Sequence, residues 1–137
     1  MKKILNGDYV CGLLRMASVE MAPSFVDAFC LDKNSFINDF KKFYNYKYDI
    51  KVQSIDSNID VFFENVLNIN EKQFKSLLYW LECKYGKCES ILEPTNNDII
   101  DFLSGCNDGY SGFYFLENLY FIKFQKVIVC LLIGNNE

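Results

Sequence analysis

The chain has no histidine, and Arg15 is its one arginine among 137 residues. Without imidazole there is no Ser-His-Asp or Cys-His nucleophile and no His-Glu metalloprotease motif, and most mononuclear metal sites are excluded. A lone guanidinium offers no cluster of bidentate clamps for phosphoryl transfer. Neither a Walker pattern nor a dinucleotide fingerprint occurs, so no Gly-rich loop is present to cradle phosphate. No apolar run reaches the roughly 18 residues that a membrane span needs. Met1 to Leu5 mimics the charged start of a signal peptide, but Asn6, Gly7 and Asp8 break it before an apolar core forms. The chain therefore reads as cytosolic, with no membrane partner.

Basic residues are missing locally as well. From Cys88 to Ile122 there is not one Lys or Arg, whereas Glu89, Glu93, Asp98, Asp101, Asp108 and Glu117 all fall in that window. Such a stretch sets up a negative field that repels phosphate and attracts basic protein surface. A net charge of −4 and a pI near 4.9 agree, and they argue against nucleic acid as a partner. Lys33, Lys41, Lys42, Lys47 and Lys51 crowd one earlier segment, which reads as a solvated helix face or a local basic patch. The six cysteines contain no Cys-x-x-Cys pair. A reducing compartment disfavours disulfides, and only an all-cysteine or carboxylate-assisted zinc site remains open. Cys11, Cys30 and Cys130 lie among apolar neighbours and read as small hydrophobes. Cys83 and Cys88 fall at a helix C-terminus, where the dipole opposes a thiolate. No cofactor or metal is expected, and the chain reads as a binding protein rather than an enzyme. Paired carboxylates, the basis of a small hydrolase, stay open as a rival.

What is present is apolar and aromatic material, half and 17% of the residues, enough for one domain over residues 1–137 with a real core. Helical spacing runs through Val10, Leu13, Leu14, Ala17 and Met21, with Asp8 at its start. Beyond Pro23, Phe25, Val26 and Phe29 suggest a short second helix. Phe36, Ile37, Phe40, Phe43 and Tyr44 share one side of a clearer third. Tyr46, Tyr48, Ile50 and Val52 then alternate with polar residues, which predicts a half-buried strand. Helices return at Ile59 to Val66 and from Asn70, an N-cap, to Gly86, a left-handed stop; a shorter one spans Ile99 to Leu103. The rest predicts strands at Phe113 to Leu116, Leu119 to Phe124 and Val127 to Ile133, with turns at Glu117-Asn118 and Gln125-Lys126. The last strand is apolar throughout, so it should be central and covered on both faces. The expected class is α+β, N-terminal helices with an antiparallel β-meander at the C-terminus.

Docks of this kind combine rim charges with a few aromatic anchors. Glu89, Glu93, Asp98, Asp101 and Asp108, with Tyr110 as a loop-borne anchor beside Gly109, are the candidate partner-binding residues. In Tyr9 to Glu20, Ser24 to Phe29, Leu67 to Lys75 and Val127 to Glu137, together with its size, acidity and order of elements, the chain resembles the immunity proteins of bacterial contact-dependent growth inhibition systems. It implies a cytosolic inhibitor that binds one cognate toxin domain, often a basic nuclease, as a one-to-one heterodimer. It assigns no particular contact residues. An adaptor or an obligate homo-oligomer remains the alternative.

Overall fold

The computed structural model describes residues 5–17, 24–55, 58–67, 69–96, 98–105 and 114–136. In chain order the elements are β1 (Leu5–Asn6), α1 (Asp8–Ala17), β2 (Ser24–Leu31), α2 (Phe36–Tyr44), β3 (Val52–Ser54), α3 (Ile59–Leu67), α4 (Glu71–Tyr85), β4 (Cys88–Pro94), α5 (Asp98–Gly105), β5 (Tyr114–Phe124) and β6 (Ile128–Asn136). The six strands form one sheet in the order β1-β2-β6-β5-β4-β3, and every neighbouring pair is antiparallel. β4, β5 and β6 are consecutive in the chain and adjacent in the sheet. The fold is α+β with a C-terminal antiparallel meander, as expected.

β6 explains the architecture. Val129, Leu131 and Ile133 enter one apolar layer, and Ile128, Cys130 and Leu132 enter the other. All six are buried, so the strand can be apolar at every position instead of every second one. The first layer is closed by α1, α3 and α4 through Val10, Leu14, Phe63, Leu67, Phe74, Leu77 and Leu81. The second is closed by α2 and α5 through Phe40, Ile99 and Leu103, with Tyr46 and Ile50 from the connection between α2 and β3. Helices therefore cover both faces of an antiparallel sheet.

The boundaries of α4 follow its sequence. The Gln73 backbone N–H donates to Asn70 Oδ1 at 2.9 Å, and Gly86 takes φ +83° where the helix stops. The Gln125-Lys126 turn is also present: it joins β5 to β6, and the Phe124 N–H donates to the Val127 carbonyl at 2.9 Å.

Four segments differ from expectation. Ser24–Leu31 is strand β2, not a helix: it pairs residue for residue with β6, sending Phe29 and Leu31 to one layer and Ala28 and Cys30 to the other. A four-residue spacing such as Phe25 to Phe29 fits both periods, and the partner strand decides. The strand expected from Tyr46 shrinks to Val52–Ser54. Asn45 leaves α2 in the left-handed region at φ 55°, and the chain wraps with Tyr46 and Ile50 inward and Tyr48 out. Cys88–Pro94, where the periodicity predicts no element, is β4. Its register shifts between Cys88 and Ser90, so Glu89 is an extra residue, and Cys88 and Ile91 share a layer although three positions apart. Finally, Glu117 is not in a turn. β5 runs unbroken for 11 residues, with a register shift between Leu116 and Asn118.

Candidate protein-docking surface

The connection Pro94 to Asn96 between β4 and α5 organises the acidic region. The Thr95 N–H donates to the Lys51 carbonyl at 2.8 Å, which fixes this connection beside the α2–β3 segment. Asn96 Nδ2 donates to the Asp49 carbonyl at 3.1 Å and to the Tyr46 hydroxyl oxygen at 3.4 Å. The Tyr46 hydroxyl in turn donates to Asp98 Oδ2 at 3.2 Å. Burial and then this carboxylate push the Tyr46 hydroxyl pKa up, so it stays a donor at neutral pH. Asp98 and Asp101 occupy the first turn of α5, where the helix dipole favours their charge, and both are exposed.

The candidate acids separate into three groups. Glu89 is exposed on the β4 bulge but is held by Lys33, whose Nζ lies 2.8 Å from its Oε1. That contact lowers the Glu89 pKa and compensates its charge. Glu93 lies at the other end of β4, about 13 Å along the strand. It accepts a hydrogen bond from Gln53 Nε2 at 3.0 Å. With Asn96, Ile100, Asn118 and Tyr120 it lines a small cavity of about 110 Å³ under α5. Burial and then Glu93 raise the Tyr120 pKa. The structure thus brings Glu93, Asp98 and Asp101 to one end of the sheet and leaves Glu89 apart. Asp108 and Tyr110 lie outside the described residues. Among the described residues the ion pairs are Lys33–Glu89, Lys41–Asp49 and Lys75–Glu71. None involves Glu93, Asp98 or Asp101.

Sequence reasoning missed the aromatics that line this surface. Tyr48 is 71% exposed and meets the Tyr46 ring edge-on, with centroids 5.7 Å apart. Tyr46 also meets Phe102 of α5 at 4.9 Å. An aromatic anchor therefore stands beside the α5 acids, on a segment whose alternation predicts a buried side chain. A second exposed group, Tyr79 and Trp80 on α4, was legible, because both fall outside the Phe74, Leu77, Leu81 and Tyr85 stripe of that helix.

Among the described residues no cluster of three or more His, Cys, Asp or Glu could hold a metal ion. Burial raises the thiol pKa of Cys30, Cys88 and Cys130, so they stay protonated at neutral pH and are poor nucleophiles. No described helix is long and apolar enough to cross a membrane. Fold and surface together define an α+β sandwich whose α5 edge exposes carboxylates beside aromatic rings. Comparison with protein families, with curated proteins and with solved structures gives no match to the chain.

Proposed function

We propose that the chain is a cytosolic immunity protein that binds one cognate basic toxin domain, of the nuclease kind, as a one-to-one heterodimer and blocks it. The observation that carries this reading is the α5 edge. Asp98 and Asp101 are exposed and take part in no ion pair among the described residues, and Asp98 accepts a hydrogen bond from the hydroxyl of Tyr46, whose ring meets the exposed ring of Tyr48. Charges not consumed within the molecule are free to meet cations on a partner. A nuclease surface is cationic because it must approach phosphate. Electrostatic steering of this kind raises association rates by roughly ten- to a thousandfold. A standard interface takes about 800 Å² from each partner, close to a tenth of the 7924 Å² surface of this chain.

The test compares partner capture by the tagged wild-type chain and by the Asp98→Lys/Asp101→Lys variant, read by native mass spectrometry. The wild type should hold one basic domain at one-to-one stoichiometry, and its co-expression should protect cells from that domain. The reversed chain should keep its fold by circular dichroism and lose both. A basic partner retained equally by both chains places the dock elsewhere. Recovery of the bait alone, as monomer or homo-oligomer, removes the inhibitor reading. The adaptor or homo-oligomer alternative draws on a different observation, the exposed Met16, Tyr79 and Trp80.

A further inference from the structure

Between α1 and α4 lies an open groove of about 470 Å³. Its floor is Leu77, buried in the first layer, and its walls include Leu13, Met16, Ser76 and Trp80. Met16 is 83% exposed and Trp80 53%, so the groove presents apolar surface that nothing in the chain's described residues covers. The walls are tied together: the Tyr9 hydroxyl of α1 donates to the Trp80 carbonyl of α4 at 3.2 Å. The Lys84 ammonium sits 4.2 Å from the centre of that Tyr9 ring.

Charge selects the occupant. Lys72, Ser76, Trp80 and Lys84 follow one another at four-residue steps along α4. Lys72 lines the groove, and Lys84 stands about 18 Å further along the helix, one turn beyond Trp80. Neither lysine has an ion-pair partner among the described residues. The acids of the same helix are engaged elsewhere: Glu71 pairs with Lys75 at 3.3 Å, and Glu82 accepts the Cys88 N–H at 2.7 Å. Among the described residues no acidic side chain lines the groove.

We infer that this groove docks an amphipathic helix that carries apolar side chains on one face and acidic residues towards its ends. Apolar anchors at successive turns would enter the concavity while the acids meet Lys72 and Lys84, the helix-in-groove mode of recognition. A concave site between two packed helices suits protruding side chains better than the flat surface of a bilayer. α1 and α4 cover the sheet face opposite α5, so this site and the acidic edge can be filled together. The inference stands independently of the toxin reading.

Trp80 is the only tryptophan of the chain, so its emission reports on the groove directly. The experiment titrates the full chain with three helical peptides of about 15 residues, the length of α4. They share one Leu and Phe stripe and carry Glu, Gln or Lys at their flanks. The Glu-flanked peptide should shift Trp80 emission to the blue and bind about tenfold or more tighter than the Lys-flanked one. Lys72→Glu/Lys84→Glu should invert that order. Trp80→Ala, at a half-exposed position, should weaken binding read by peptide anisotropy while the circular dichroism spectrum is kept. The absence of a shift with all three peptides, or equal affinity for them, overturns the inference. A shift seen only with phosphatidylserine vesicles overturns it in favour of a membrane surface. A shift that follows protein concentration alone overturns it in favour of a second copy of the chain.

Discussion

Leu131 and Leu132 are successive residues of β6, yet they serve different layers, and both are fully buried. Leu131 contributes to the core closed by α1, α3 and α4; Leu132 contributes to the one closed by α2 and α5. Replacing either by Ala removes a buried side chain from a site hemmed in by a strand on each side and helices above. Leu→Ala at such a site costs about 3 kcal/mol, within a general range of roughly 2–5. For a chain of this length that corresponds to a fall in Tm of about 10 °C. With a urea slope near 2 kcal/mol per molar, the midpoint should drop by about 1.5 M. The two side chains share no apolar layer but do share a backbone, so the double variant should lose about 6 kcal/mol, with a coupling below about 1 kcal/mol. Total stability of such a domain is roughly 7–20 kcal/mol, so the double variant should stay folded in water but keep as little as about 1 kcal/mol at the low end. Urea titration followed by circular dichroism reads all four states of the cycle, with the slope required to stay constant. A loss below about 1 kcal/mol at Leu132 alone would refute the second core, and a coupling above about 1 kcal/mol would refute the independence of the layers.

Three further outcomes are expected. In the native chain at pH 8, iodoacetamide should modify exposed Cys83 well before buried Cys30, Cys88 and Cys130, whose thiols are pushed up by burial, with urea removing the difference; peptide mass spectrometry reads the order. Cys88 is raised from 9.0 to about 12. The folded chain therefore keeps a proton that the unfolded chain releases, and stability should fall as pH climbs from about 9 to about 12, less steeply in Cys88→Ala. Glycine substitutions should split by position in thermal melts. Gly12→Ala, where an added Cβ meets nothing within 4 Å, should stabilise α1 by about 0.5–1 kcal/mol. Gly7→Ala would drive its Cβ into the Ala28 carbonyl and should cost about 3 kcal/mol or more.

What could be read in advance was whatever a single segment encodes. Asn70 and Gly86 bound α4 because caps act on their own helix. The unbroken apolar run of β6 announced a strand covered on both sides. β2 could not be read, because its identity comes from pairing with residues about a hundred positions away. β4 could not be read either, since the extra residue at Glu89 destroys the period that marks a strand. The acidic window was countable, but its division was not: Lys33, 56 positions away, compensates Glu89, while Asp98 and Asp101 keep their charge exposed. Tyr48 was hidden by an alternation that the left-handed turn at Asn45 overrides.

The place of β6 between β2 and β5 also dictates an order of assembly. β5 and β6 meet across a tight turn, so their ladder closes a loop of only a few residues. Leu31 reaches its partner Ile128 across nearly a hundred. The longer closure costs about 3 kcal/mol more in chain entropy, so the hairpin should form first and capture β2 afterwards. On the ribosome, β2 emerges with its later neighbour still unmade, and neither apolar layer can be completed until residues 128–136 have left the tunnel. Until then the edge of β2 is open to pairing with other chains, which makes the nascent form of this protein its most aggregation-prone state.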